Sequence, residues 1–155
     1  MRTIDRGYNE IALMPTTKRE QMGEVYARVR LTNALDQELV RMGLLEPDKV
    51  LTCEVDALVD TGATKSIIPP HVVRQLDLII ARQTMGVLAD GSRVPVGVSS
   101  TIVFQIEGRE TREDAYVLGD QVLIGQTVLE STDLLVDCAN RKVMPKHPEG
   151  PLFRL

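Results

Sequence analysis

Residues 58–64 read Leu-Val-Asp-Thr-Gly-Ala-Thr, and this stretch decides the fold prediction. Residues 50–59 alternate between apolar and polar side chains, which predicts a strand with one buried face. Asp60 follows the apolar end of that strand. Gly62 then permits a tight backbone turn that a Cβ would hinder, and Thr61 adds a small hydroxyl that can form hydrogen bonds. The pattern predicts a carboxylate presented from the end of a strand by a tight loop.

A carboxylate in this setting gains its chemistry from a second one. Two carboxylates at close range cannot both ionise, so they share one proton. One can then act as a base on water while the other donates its proton to a substrate carbonyl. Asp-Thr-Gly-Ala occurs once in the 155 residues, which predicts half a site per chain and therefore a homodimer. The alternative interpretation is an ordinary turn at a strand end, because Asp and Gly are common turn residues.

Two further segments give the loop its context. Ser66-Ile67-Ile68-Pro69 is a short apolar segment after the loop, and Val122-Leu123-Ile124-Gly125 leads into a short helical stretch at 126–130. The order of strand, Asp-Thr-Gly-Ala, hairpin, apolar-apolar-Gly and helix resembles that of the retropepsin-like aspartic proteases. The similarity covers about residues 23–145 and is greatest to the cellular and prokaryotic single-domain branch.

The resemblance implies a fold and a set of roles. The expected fold is all-β, a retropepsin-like closed acid-protease barrel with one or two short helices and one lobe per subunit. Asp60 is the implied catalytic residue of an aspartic endopeptidase that acts on peptide or protein substrates. Thr61 is expected to brace the two catalytic loops across the dimer, and Gly62 to contact the substrate main chain, with Ala63 completing the loop. The family mechanism uses water as the nucleophile and implies no cofactor.

A second expected element is a hairpin within residues 83–107. Apolar residues on either side of an Asp-Gly pair are a strong signal for a β-hairpin. Its place in the sequence matches the flap that covers the substrate in retropepsin-like enzymes. The expected tip comprises Leu88, Ala89, Asp90, Gly91 and Ser92. The alternative is a surface hairpin with no role in the site.

Residues 122–144 form the third element. Gly125 allows close packing where a strand meets a helix, and the family resemblance makes Ile124 a candidate pocket residue. Residues 134–137 and 142–144 are expected to form a closing hairpin with Asn140 in its turn.

Two further helical segments are expected. Pro69-Pro70 is expected to open a short helix with Pro70 near its first turn. Residues 36–42 are expected to form a short helical turn in the connection before the strand at 50–59.

Composition excludes several other classes of protein. The net charge of −4 argues against nucleic-acid binding. No run of 18 apolar residues exists, so no membrane span is expected, and a cytoplasmic protein is the default. Cys53 and Cys138 have no metal-binding spacing, and Cys53 is expected to be a buried thiol. His71 and His147 have no nearby ligand partner, so no metal site is expected.

We expect three segments: a loosely ordered leader at 1–22, the protease-like domain at 23–145, and a Pro-rich irregular tail at 146–155. Two alternatives to a simple enzyme remain open. The same fold could serve as a dimeric peptide-binding or scaffold module with little turnover. The chain could also be a precursor that becomes active after its leader or tail is removed.

Overall fold

A computed structural model describes residues 23–155, so the prediction for the leader at 1–22 lies outside the described residues. This part of the chain is mostly β-structure. Its strands are β1 (Val25–Asn33), β2 (Thr52–Val59), β3 (Ile67–Ile68), β4 (Ile80–Val87), β5 (Arg93–Ser99), β6 (Ile102–Ile106), β7 (Arg109–Glu113), β8 (Tyr116–Val117), β9 (Leu123–Ile124), β10 (Leu134–Asp137) and β11 (Lys142–Pro145). The helices are α1 (Ala34–Arg41), α2 (Pro70–Gln75) and α3 (Gln126–Ser131), with a 3₁₀ turn at Pro47–Lys49.

Nine of the strands form one sheet in the order β4-β5-β8-β3-β9-β2-β1-β6-β7, and β10 pairs with β11 in a separate hairpin. The large sheet curls into a half-barrel, which confirms the predicted fold class. Strand β2 lies between β1, to which it is antiparallel, and β9, to which it is parallel. The end of β2 is therefore held on both sides by backbone pairing.

The hydrophobic core combines side chains of β1, β2 and β6 with side chains of α2 and α3. Alternate residues of β1 and β2 are buried, as the period-two pattern predicted, and Cys53 is among them. Burial raises the pKa of the Cys53 thiol. The largest fully buried side chains are Phe104, Leu31, Ile68, Leu76, Ile102, Ile106 and Ile124. None of the helices within residues 23–155 has the length and apolar character needed to cross a lipid bilayer.

Three short helices are present where the sequence predicted one or two. The additional helix is α1, expected only as a helical turn at 36–42. It begins earlier because the side-chain oxygen of Asn33 accepts hydrogen bonds from the N–H groups of Leu35 (2.9 Å) and Asp36 (3.4 Å). The Asn33 amide also donates to the carbonyl of Leu76 (2.9 Å), 43 residues away. Helix α2 starts with Pro70 at its first position, as predicted.

Residues 146–155 contain no helix or strand, yet they are bound to the domain through Asp133. The Asp133 carboxylate, only 5% exposed, lies 2.8 Å from His147 Nδ1 and 3.3 Å from an Arg109 guanidinium nitrogen. It also accepts the N–H of Leu152 (3.3 Å), and the Asp133 carbonyl accepts the N–H of Lys146 (2.9 Å). Arg109 further donates to the His147 carbonyl.

These contacts decide how the tail responds to acid. Burial disfavours the charged Asp133 carboxylate, but the hydrogen bonds from His147 and Leu152, together with the charges of His147 and Arg109, hold its pKa below the ordinary value. The stabilisation is therefore present above the pKa of an unfolded aspartate, about 3.9. The stabilisation is lost as the pH falls through the pKa of Asp133 in the folded protein, which is lower than that of an unfolded aspartate. The tail should stay attached in mildly acidic solution.

Candidate active site

Asp60 follows directly on the last residue of β2. Its N–H donates to the carbonyl of Ile124 (2.9 Å), and the preceding Val59 is paired with Ile124 in the parallel β2–β9 ladder. The N–H of Leu58 donates in the same way to Val122 (3.0 Å). The backbone of Asp60 is thus fixed by the sheet, while its side chain is only half-buried.

The loop that follows orients the carboxylate. Asp60 Oδ1 accepts the N–H of Gly62 (2.8 Å), and the Asp60 carbonyl accepts the N–H of Ala63 (3.2 Å). A Cβ on Gly62 would lie 3.2 Å from Asp60 Oδ1, so glycine gives the carboxylate room at this approach. Thr61 and Gly62 are exposed and Ala63 is half-buried. The structure therefore brings Asp60, Thr61, Gly62 and Ala63 together in one surface loop.

Gly125 packs against the backbone of the loop at 60–66 and fixes its position. A Cβ on this residue would lie 2.6 Å from both the carbonyl carbon and the oxygen of Lys65, and 2.9 Å from the oxygen of Thr64. The N–H of Gly125 donates to Oγ of Ser66 (2.9 Å), whose side chain is fully buried. The predicted close packing at Gly125 is thereby confirmed, and its contact is the backbone of the loop that carries Asp60.

The start of α3 supplies the other hydrogen bonds of the loop. The N–H of Gln126 donates to the Ala63 carbonyl (2.8 Å), and the N–H of Thr127 donates to the Thr64 carbonyl (3.1 Å). The first N–H groups of a helix have no partner within the helix, so they are free to bind these carbonyls. The N–H groups at the start of α3 thus gain hydrogen-bond partners, and the same hydrogen bonds hold the loop.

Ile124 is not positioned as the sequence analysis expected. Its side chain is 0% exposed and belongs to the hydrophobic core, so the structure contradicts its assignment as a pocket residue. Successive strand residues face opposite sides of a sheet, which directs the preceding Leu123 the other way. Leu123 is partly exposed and paired with Leu58 and Ile67. The alternation of side-chain directions along β9 is the signal that could have identified Leu123 as the more exposed residue.

The predicted hairpin is formed by β4 and β5, with residues 88–92 at its tip. Val87 is paired with Arg93, the N–H of Leu88 donates to the Ser92 carbonyl (2.8 Å), and Gly91 has φ +88°. Leu88, Ala89, Asp90, Gly91 and Ser92 are all exposed, and β4 is an edge strand of the sheet. The five residues therefore lie together at the exposed tip of a hairpin on the edge of the sheet.

Asp90 organises this tip. Its Oδ1 accepts hydrogen bonds from the Ser92 hydroxyl (2.6 Å) and the Ser92 N–H (2.9 Å). These hydrogen bonds, the hydroxyl first, lower the pKa of the Asp90 carboxyl from its ordinary value. The tip therefore carries a fixed negative charge at neutral pH. Within residues 23–155, no group of three or more His, Cys, Asp or Glu side chains is arranged to hold a metal ion.

The Asp60 loop, helix α3 and the β4–β5 hairpin all lie within one region of the sequence that matches a known family. Residues 51–131, more than half of the chain, match the family described as "gag-polyprotein putative aspartyl protease". The chain belongs to this retroviral-type aspartyl protease family. No curated protein matches it by sequence.

The fold of this family member is found in a solved structure. It is similar to the retroviral protease-like domain of Ddi1 from Leishmania major, with a TM-score of 0.51 and 16% sequence identity. The similarity covers 80% of the present chain and 89% of the Leishmania chain. At this identity the likeness establishes the retropepsin-like fold alone.

Gly125→Ala tests the packing between Gly125 and the loop that carries Asp60. The added methyl group would overlap the Lys65 backbone, so we expect a loss of about 1–3 kcal/mol in the free energy of unfolding, measured by urea denaturation. Gln126→Ala, at the next position, changes a half-buried side chain and should alter stability by less than about 0.5 kcal/mol. Equal stability of Gly125→Ala and the unsubstituted protein would contradict the close approach.

Proposed function

We propose that this family member is an aspartic endopeptidase that acts as a cytoplasmic homodimer, with Asp60 of each subunit forming a catalytic pair. The observation that carries the proposal is the Asp60 loop. Its carboxylate is oriented by the Gly62 N–H, its backbone is locked by β9 and α3, and Thr61 and Gly62 are exposed beside it. The family match supports the same chemistry.

The requirement for a dimer follows from counting carboxylates. The sequence contains one Asp-Thr-Gly-Ala loop, and the acid–base mechanism needs two carboxylates that share a proton. A two-fold axis beside the loop would bring the two Asp60 side chains together, since a symmetric interface presents the same patch from both subunits. The exposed Thr61 is then available to brace the opposite loop. One lobe comes from each subunit.

The proposed reaction proceeds in two steps. The ionised Asp60 removes a proton from water, whose oxygen attacks the peptide carbonyl carbon, while the protonated Asp60 of the second subunit donates its proton to the carbonyl oxygen. The tetrahedral intermediate then collapses. Its C–N bond breaks as the leaving nitrogen takes the proton from the protonated carboxyl of the pair. The ionised carboxylate removes the proton from one hydroxyl group of the intermediate, whose C=O bond re-forms, so the pair again holds its single shared proton. Proton sharing of this kind is established for aspartic proteases in general.

The substrate is expected to lie extended between the catalytic loop and the β4–β5 hairpin. A projecting hairpin that closes over a site excludes water and supplies backbone hydrogen-bond groups to an extended peptide. Gly62, at the loop, is the proposed contact for the substrate main chain. Leu123, being partly exposed on β9 next to the end of β2, replaces Ile124 as the proposed side-chain contact in the cleft.

Asp60→Asn tests the catalytic assignment. An amide oxygen can still accept the Gly62 N–H, but the shared-proton chemistry is lost. We expect kcat/KM to fall by about 10²–10⁴-fold, measured on a diverse peptide mixture by mass spectrometry. Stability should change by less than about 1 kcal/mol.

Asp56→Asn is the matched control, because Asp56 lies on the same strand with a side chain that is 72% exposed. A peptide-binding module would cut none of the peptides, and normal turnover by folded Asp60→Asn would refute the assignment.

Mixed dimers test the half-site. When unsubstituted and Asp60→Asn chains are equilibrated in equal amounts, only dimers with two intact chains can cut. Activity should fall to about a quarter of that of the intact dimer, because the active fraction is the square of the intact fraction. Sites complete within one chain predict a fall to about half. Light scattering should show a particle of twice the 17.2 kDa chain mass.

Gly91→Val tests the role of the hairpin tip. The positive φ of Gly91 is unfavourable for a β-branched residue, so the variant should lose about 1–3 kcal/mol of stability locally. Gly108→Val imposes the same kind of strain (φ +76°) in the β6–β7 turn, next to the opposite edge strand β7. We expect both variants to lose similar stability and only Gly91→Val to lose kcat/KM. Equal kinetics in the two variants would remove the tip from the site.

A further inference from the structure

Lys65 is the only cation in the loop at 60–66, five residues after Asp60. Its backbone lies against Gly125, where no Cβ could be accommodated, so the starting point of its side chain is fixed relative to Asp60. The side chain is 28% exposed and its ammonium group pairs with Asp114 Oδ1. The loop that carries the catalytic carboxylate thus also carries a held, partly accessible positive charge.

Asp114 is held by the strands on either side of it. It lies between β7 and β8, and the next residue, Ala115, is buried with its N–H bound to Ser99 Oγ (3.1 Å). The N–H of Tyr116 donates to the Ser66 carbonyl (3.0 Å), which joins this segment to the catalytic loop. Ser99 ends β5, the second strand of the hairpin. Asp114 is therefore placed between the loop and the base of the hairpin.

Arg82 brings a second cation from the hairpin itself. It lies on β4 paired with Val98, and its guanidinium nitrogen is 3.9 Å from Asp114 Oδ2. Within residues 23–155 this long contact is the one ion pair of Arg82. The Arg82 side chain is 58% exposed. Because a guanidinium has five N–H donors in a planar fork, Arg82 retains donors for another carboxylate.

We propose that Lys65, Asp114 and Arg82 form a subsite that selects an acidic side chain of the peptide, at a position removed from the cleaved bond. The inference rests on the proposed function. A peptide between the loop and the hairpin must pass the groups that connect these two walls. The cluster holds two cations and one carboxylate, so it carries one unbalanced positive charge. An acidic side chain of the substrate would complete a four-membered network.

Asp114, the carboxylate within the cluster, distinguishes this subsite from a simple pair of cations. Asp114 competes with the substrate for both cations, so it limits their affinity for an acidic peptide. Asp114→Asn should therefore increase the preference for acidic peptides, whereas Lys65→Gln and Arg82→Gln should reduce it. A purely structural ion pair predicts a different pattern, in which Asp114→Asn and Lys65→Gln have the same effect on all peptides.

The test compares peptide pairs that differ only by Glu or Gln at each position in turn. The intact dimer should cut one Glu peptide with a kcat/KM about two- to fivefold above its Gln partner, as expected for a partly exposed ion pair. Lys65→Gln should abolish this ratio, Lys65→Arg should retain it, and Asp114→Asn should raise it. High salt should lower the ratio by screening. Lys49→Gln, an exposed cation on the 3₁₀ turn, is the matched charge control and should leave the ratio unchanged.

Binding of the same peptides to the Asp60→Asn dimer, measured by fluorescence polarisation, separates the subsite from turnover. Glu-selective binding that depends on Lys65, without cleavage by the intact dimer, would support the subsite and refute the proposed endopeptidase. Cleavage with no Glu preference at any position would overturn the subsite alone. An equal change of the ratio in Lys65→Gln and Lys49→Gln would also overturn it, as would the absence of both cleavage and selective binding.

Discussion

The contact between the Gly125 backbone and the loop that carries Asp60 is the constraint on which the site depends. No side chain beyond a hydrogen fits at Gly125, because Lys65 lies where a Cβ would be. The approach aligns three successive N–H groups, those of residues 125–127, with the oxygen acceptors of the loop. Asp60 is held by β9 through its own N–H, and the loop that follows it is held by the first residues of α3. The carboxylate gains a fixed position without being deeply buried.

The same arrangement fits the proposal that each chain contributes half of a site. Strand β2 ends within the sheet, with backbone partners on both sides, but the loop after it reaches the surface with Thr61 and Gly62 exposed. A surface carboxylate alone is a weak catalyst, whereas two facing copies share a proton and gain acid and base roles. The proposed dimer thus supplies by symmetry what one chain lacks.

Local patterns in the sequence were sufficient for much of the fold. The alternation in β1 and β2, the Asp-Gly signal between β4 and β5, and the closing hairpin of β10 and β11 each concern residues close together in the chain, and each agrees with the structure. Helix α1 was underestimated because its capping residue, Asn33, still belongs to β1. Strand residues at such a junction do not reveal which of two elements they serve.

By itself, the sequence determined the strand before Asp60 and the turn after it, because these follow from residue types within a few positions. Only the tertiary structure decided which face of β9 is buried, so that Ile124 joins the core. It also decided that Lys65 meets Asp114, 49 residues away, and that Asp133 binds the irregular tail. Such pairings depend on strand order and on the parallel register of β2 and β9, which local propensity does not encode.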